Sequence, residues 1–530
     1  MIVDTRQSNL LARRSLLNYA VGIDDGTQAL SVMFIASDGT VIAKGEHAVP
    51  MVAGLNGERE QNLDDWKTAL SKAMRQAFTD TKTAGIELDN CLGVCPSAQM
   101  HGECLKLQGG SFHPLARLWC DSRNKDEAAE LTNLFGLIIP QRLTIARWLW
   151  TIKHRPEIAE KVIGITTSAG VIASFLCKGV WALGCGDARG MFPIDQATLQ
   201  YDTALVTKFN DYAGKCGFTV RTIEQLLPSP RSVGSIVGFV DEVGSALTGL
   251  PIGTPIYPPE GDQPTTLAGT YVSAPGTFAF SGGTSICANL ITEQTFQGLH
   301  SGVEPFMAAD GKPFLMCHVQ NGTSFMNTVI GMFGQLLQSA DLFVRLMPMA
   351  KNAAVDCGGI IVLPTAEAEH GLNFPETARS GIFNLRSDNA TPGNLVRAAL
   401  IGSMFSILYS VSAMRMQGIT ANKIVASGGI VKSDWIGQAI ADIFNLNVEI
   451  LGEAEEGSAY GAALMAMYGN SLKTSLALTW SSFIDSIRPK PAKVFEPIPA
   501  NVATLRQMFD TFCQLVENVE SKLVDLNWTK

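Results

Sequence analysis

Four short stretches of this chain carry residue types able to hold phosphate and move a proton. Asp24-Asp25-Gly26-Thr27 puts a carboxylate two residues ahead of a Gly-Thr step. A turn of that kind can offer backbone N–H groups at Gly26 and a hydroxyl at Thr27 to phosphate oxygens, while Asp24 holds Mg2+ through water. A plain surface turn has the same composition. Gly282-Gly283-Thr284-Ser285 offers similar donors a second time, at Gly283, Thr284 and Ser285. In Ala426-Ser427-Gly428-Gly429, with Ser433 beyond it, Gly428 and Gly429 would let a flat group such as adenine approach the backbone closely. A structural strand-to-helix turn would read alike. Glu260-Gly261-Asp262-Gln263 follows the strand-like Pro255-Ile256-Tyr257, so Asp262 is suited to accept a proton from a hydroxyl, although surface Gly-Asp turns far outnumber catalytic ones. No GxxxxGK[ST] stretch occurs, and no GxGxxG lies between a strand and a helix, which disfavours P-loop and dinucleotide enzymes.

These stretches need elements to position them. Tyr19–Ile23, Ser31–Ala36 and Val41–His47 read as strands, the last two joined at Asp38-Gly39. Thr277–Ser281 and Ile286–Ile291 repeat the strand–Gly-Thr–strand pattern about 260 residues later, which suggests two domains of similar plan facing one another; chance recurrence of a common turn explains it equally well. Trp66, Leu70, Ala73 and Ala77 recur at helical spacing within Leu63–Phe78, with Asn62 as a cap and Asp64 and Asp65 at the positive end. Further helices are expected over Ile145–Lys153, Leu395–Met416, Asp434–Phe444 and Val502–Leu526, and a strand over Lys423–Ala426. Leu226–Pro230 should break regular structure. Pro251–Pro264 reads as a crossing, with the domain boundary near residue 270. Strands alternating with helices imply an α/β protein.

Composition narrows the class. The 530 residues exceed a usual single core, and 46% hydrophobic against 17% charged residues argue for large folded domains. A net charge of −9 without a basic cluster disfavours nucleic acid as a partner. Eleven scattered cysteines without paired CxxC spacing suit reduced thiols better than zinc or disulfides. With no leader-like apolar segment at the start and no run of 18 apolar residues, a cytoplasmic protein without a membrane partner is expected.

The order of the motifs adds more than any one of them. Asp24-x-Gly26-Thr27, Gln99-Met100-His101-Gly102, Trp119-x-Asp121-x-Arg123, Gly186-Asp187-Ala188-x-Gly190, Gly261-Asp262-Gln263, Gly283-Thr284-Ser285, Ser427-Gly428-Gly429 and Gly457-Ser458-Ala459-Tyr460-Gly461 follow one another. From about residue 19 through the terminal helix this resembles the FGGY carbohydrate kinases. The resemblance implies two actin-like ATPase (ribonuclease H-like) domains with mixed sheets flanked by helices. Its boundaries fall at a tail 1–18, an N-terminal domain 19–270 for sugar and phosphate, a C-terminal domain 271–474 for nucleotide, and an extension 475–530.

By that resemblance Asp262 matches the catalytic base, and Gln263 stands where Asn is commoner. Met100, His101 and Gly102 match a sugar-binding segment of xylulokinases and sedoheptulokinases. Glycerol kinases carry Arg-Glu in place of the Met-His step, so His101 implies a ketose. Arg142 matches an arginine on the sugar, and Gly429 and Ser433 match nucleotide contacts. ATP and Mg2+ are the implied cofactors and a small sugar the implied partner, with homodimerisation left open. D-xylulose leads, sedoheptulose is second, and a sugar-sensing pseudokinase or an actin-like assembly protein is the non-enzyme alternative, which Asp262 and His101 disfavour. The chain departs from the family at Gln28–Ser31, at Arg189, and at Thr365–Glu369, where Gly-Glu-Arg is usual.

Overall fold

The structure, a computed structural model, describes residues 17–294, 296–298, 300, 302–337, 342–365, 369–372, 374, 380–429, 433–451, 457–475 and 477–523. Nearly all of the expected tail 1–18, residues 366–368 of the departing loop, and 524–526 of the expected last helix lie outside them.

The chain forms two compact units, each with a seven-stranded sheet. The first unit holds β1 (Leu17–Asp25), β2 (Ala29–Ala36), β3 (Val41–Ala48), β4 (Leu88–Ala98), β5 (Gly238–Phe239), β6 (Pro255–Ile256) and β7 (Glu260–Gly261). Their order is β5-β6-β4-β1-β2-β3, with β7 also pairing β4. The antiparallel meander β1–β3 follows from Asp38-Gly39, where Gly39 takes φ +84°. β4 then runs parallel to β1, and Asp24 pairs with Ser97. Pro251–Pro264 is not a crossing: β6 and β7 come from it and both pair with β4. Likewise Ser229–Arg231, which overlaps the end of the expected break, forms a short strand beside Ala182–Gly184.

Large and small residues alternate along β1 because its two faces meet different neighbours. Tyr19, Val21 and Ile23 enter a core with Trp66, Leu70 and Ala73 of α1 (Leu63–Thr83). Asn62 caps α1 by accepting from the Asp64 N–H at 2.9 Å. The opposite face, Ala20 and Gly22, must be small, as described below. Three more helices of this unit carry site segments: α2 (Thr144–His154), α3 (Cys185–Met191) and α4 (Asp262–Gly269).

The second unit repeats the plan with β8 (Thr277–Gly282), β9 (Ile286–Ile291), β10 (Glu304–Met307), β11 (Pro313–Val319), β12 (Lys423–Ser427), β13 (Asn447–Leu451) and β14 (Pro491–Phe495). The order is β10-β11-β9-β8-β12-β13-β14. Here too an antiparallel meander, β11-β9-β8, is extended by the parallel strands β12 and β13. The doubled hairpin is thus a doubled sheet. α5 (Thr323–Leu337), α6 (Leu342–Asn352), α7 (Pro392–Met416) and α8 (Asp434–Phe444) surround its core, which holds Phe280, Phe405 and Phe444. Among the described residues only α7 is long and apolar enough to cross a membrane, and it is buried in this core.

The chain then returns to the first unit, whose last large element is α9 (Gly457–Ser471). A Cβ on Gly22 would sit 1.8 Å from the Ala459 carbonyl oxygen, and one on Gly461 would sit 1.8 Å from that of Thr265. α9 therefore lies backbone-to-backbone on β1 and α4, and Ala462 and Ala463 complete a core with Ala20.

Candidate active site

In the first unit the carboxyl ends of β1, β4 and β7 finish level with one another: Asp24 and Glu260 both pair with Ser97. Adjacent strands lie about 4.8 Å apart, so Asp24 and Glu260, on either side of β4, stand roughly 10 Å apart, and Asp262 follows two residues later. The end of such strands is where α/β folds place their ligands. Asp262 opens α4. Burial, then the charge of Asp24, raises its carboxyl to about 7 against the pull of backbone N–H groups of Gln263 and Met100. Asp24 accepts from Ser97 Oγ at 2.8 Å, and burial raises it to about 6.

Met100, His101 and Gly102 leave β4 directly beside this pair. Met100 packs on Gly261, where a Cβ would lie 2.2 Å from Met100 Cγ. His101 is buried and holds φ +69°, a left-handed conformation costly to a side-chain-bearing residue. Its Nε2 lies 3.2 Å from Arg142 Nε, which can only donate, so Nε2 accepts. Nδ1 therefore carries the proton and donates to the Gly190 carbonyl at 3.0 Å. Burial and the Arg142 charge hold the ring neutral, well below its ordinary pKa. Gly190 has to be glycine, since a Cβ would lie 2.8 Å from His101 Nδ1. The departing Arg189 turns elsewhere and donates to the Ile194 carbonyl at 3.3 Å.

The turn after β1 is engaged within the fold. Gly26 N–H donates to the Ala29 carbonyl at 3.0 Å, and Thr27 Oγ1 donates to Gln99 Oε1 and accepts from Trp119 Nε1, both at 3.1 Å. Thr27 thereby links the turn to the segment bearing His101. Gln263 is partly buried in the first turn of α4.

Two buried groups here gave no sequence signal. Glu260 accepts from the N–H groups of Gly186 (3.0 Å), Asp187 (2.9 Å) and Gly261 (3.1 Å), tying the start of α3 to the strand before Asp262. Burial lifts it to about 7. Arg147 of α2 is fully buried, and burial plus the charge of Arg117 push it down to about 9. Both are placed by tertiary contacts, which no local pattern records.

The second unit brings Gly283, Gly429 and Ser433 to one cavity of about 670 Å³, within the range of small-molecule sites. Gly428 takes φ +86°, and a Cβ there would lie 2.5 Å from the Gly282 carbonyl oxygen, so it serves the turn. A Cβ on Gly429 meets nothing within 4 Å. Thr284 and Ser285 do not line the cavity: Gly283 N–H donates to the Ser285 carbonyl at 2.8 Å, and the Thr284 carbonyl accepts from Gly322 N–H at 3.1 Å. Phe343, Val344 and Met347 of α6 with Ile436 of α8 supply the apolar wall. Aromatic and aliphatic residues on α6 could have signalled it, but they read equally as core. A flat apolar group fits such a wall, and glycine backbone fits close approach by polar atoms.

Comparison with known proteins agrees with this doubled plan. Residues 19–269 match the N-terminal domain, and residues 278–469 the C-terminal domain, of the FGGY family of carbohydrate kinases. The xylulose kinase of Bacillus subtilis (strain 168) is 25% identical over 519 residues, 96% of this chain and 98% of that one. Two solved structures from Lactobacillus acidophilus, a ligand-bound xylulose kinase and a gluconate kinase, each superpose with a TM-score of 0.81 at 20% identity, covering 96% of this chain and all of theirs. Kinases named for different sugars thus share the fold equally, and what the comparisons establish is the family and the ATP-dependent phosphorylation of a carbohydrate. With both domain models matched in order over most of its length, this chain belongs to the FGGY family of carbohydrate kinases.

Proposed function

We propose that the chain phosphorylates a small ketose, D-xylulose foremost, from Mg2+-bound ATP, with Asp262 as the general base. The observation that carries this reading is the state of Asp262. A carboxyl that burial and the Asp24 charge raise to about 7, beside the segment of His101, suits a general base working near neutral pH. The His101–Arg142 pair, rather than the imidazole alone, faces the task of reading the sugar, since both ring nitrogens already have protein partners. The Bacillus subtilis relative is named for xylulose, which favours that ketose first.

In this mechanism Asp262 takes the proton of the acceptor hydroxyl as its oxygen bonds to the γ-phosphorus, and ADP leaves. N–H groups of Met100 and Gln263 orient the carboxylate. Asp24 suits a hard divalent cation: its carboxylate holds one hydrogen bond from Ser97 and is destabilised by burial. Held by Asp24, Mg2+ would supply positive charge to offset that of the transferred phosphoryl group. The cavity of Gly283, Gly429 and Ser433 is assigned to the nucleotide. Because the transition state is loose, orientation and charge matter more than covalent assistance.

A coupled ADP-release assay over ketoses, polyols and aldonates tests the substrate. D-xylulose should give the highest kcat/KM. A higher value for glycerol or gluconate would overturn the ketose reading and leave the family assignment intact.

A further inference from the structure

The guanidinium of Arg147 gathers the three segments around His101. Nη1 donates to the carbonyls of His101 (3.2 Å) and Arg142, and Nη2 to those of Trp119 (2.6 Å) and Asp121 (3.4 Å). Four acceptors from three separate stretches thus converge on one planar fork, an arrangement that lysine's point charge cannot reproduce. One turn earlier on α2, Thr144 Oγ1 donates to the Gly102 carbonyl at 3.1 Å, so two consecutive carbonyls, 101 and 102, are held by the same helix.

We infer that Arg147 is a positioning residue for sugar recognition: it locks the left-handed backbone of His101 and the turn of Arg142, so that the His101–Arg142 pair meets the sugar preformed. His101 is one of six described residues other than glycine with positive φ, and its backbone oxygen is one of the four that Arg147 holds. A strained conformation of this kind persists only where its surroundings over-determine it. Here Arg147 holds the carbonyl, Gly190 the Nδ1–H and Arg142 the Nε2.

Burying this cation is expensive. It lies beside a second arginine, Arg117, whose Nη1 donates to the Arg147 carbonyl at 3.2 Å. Glu103 and Asp121 offset the charge, yet apolar replacements of buried ionic groups are often neutral or stabilising. A group kept at such cost serves geometry. Without Arg147 the two segments keep their residues but lose their register, and the sugar must bear the cost of ordering them on binding.

This inference rests on the sugar being read by the His101–Arg142 pair, and the test separates the two ideas. KM for the sugar and for ATP would be measured on wild type, Arg147→Lys, Arg147→Gln, His101→Ala and the Arg147→Lys/His101→Ala double variant. The sugar is whichever one the wild type turns over best. Arg147→Lys should raise KM for that sugar ~10-fold or more and leave KM for ATP within ~2-fold. Arg147→Gln, uncharged and easier to bury, should do the same. In the double variant the pair is already broken, so adding Arg147→Lys to His101→Ala should cost less than ~3-fold more. Loss of kcat with both KM values unchanged would mean that Arg147 only stabilises the fold, and would overturn the inference. Fully multiplicative effects in the double variant would also overturn it. If His101→Ala alone changes neither KM, the reading of the sugar site fails first, whatever Arg147→Lys does.

Discussion

Ser97 Oγ donates to Asp24 Oδ1 at 2.8 Å and lies 2.9 Å from Thr265 Oγ1, which reaches the carbonyl of Asp262 at 3.1 Å. The two hydroxyls, in contact with one another, thus lie between the side chain of Asp24 and the backbone of Asp262. The charge of Asp24 is one of the two causes that raise Asp262. The charge of Asp24 therefore bears on the proton affinity of Asp262.

That coupling sets the pH dependence. A base raised to about 7 loses its proton-accepting form as pH falls, so kcat/KM for the sugar should drop ~10-fold per pH unit well below a midpoint near 7. Asp262→Ala should lower kcat by ~10²–10⁴ and leave ATP affinity within about twofold. A flat profile between about pH 5.5 and 8, or an Asp262→Ala enzyme of near-normal rate, would assign the proton to another group.

Gly429 tests the nucleotide half. A Cβ there meets open space, so Gly429→Trp can be built and its ring would occupy the cavity shared with Gly283 and Ser433. KM for ATP should rise ~10-fold or more, with KM for sugar little changed. Calorimetry showing unaltered ATP affinity in the folded variant would move the nucleotide elsewhere.

Asp25 makes a stability prediction. It continues the apolar face of Tyr19, Val21 and Ile23, and neither carboxylate oxygen has a hydrogen-bond partner among the described residues. Burial, then the Asp24 charge, raises its pKa well above the usual value. The folded state therefore holds a proton that the unfolded state releases above about pH 4, and stability falls as pH rises through that window. Asp25→Asn removes the cost, and should stabilise the protein by ~1–3 kcal/mol at pH 7, with the gain fading toward pH 4. Denaturant titrations at both pH values check this; a variant less stable at pH 7 would mean the carboxylate is ionised and compensated.

Much of the framework was legible because its signals are local. Asp38-Gly39 marks the hairpin, Asn62-x-Asp64 the start of α1, and the apolar period the helices. Asp24, Asp262 and Gly429 stood out by residue type at the ends of apolar runs. The short strands Pro255–Ile256 and Glu260–Gly261 did not, because two residues leave no period to read. Glu260 and Arg147 were invisible for another reason: each is placed in part by a partner more than 40 residues away, as in the bonds to Gly186 and His101. The engagement of Gly26 and Thr27 within the fold was equally hidden, since their types suit a phosphate and a neighbouring carbonyl alike.

The seating of α9 has a consequence for synthesis on the ribosome. Gly22 in the first strand and Thr265 in α4 contact a helix that begins only at Gly457, 184 residues after the first unit's long stretch ends at Ser273. At about 5–20 residues per second, the nascent first half waits roughly 10–40 s with its Ala20 face uncovered. Translation speed and holding chaperones therefore act on a window that the finished molecule no longer displays, and a chain interrupted before residue 457 leaves an apolar face open rather than a smaller folded protein.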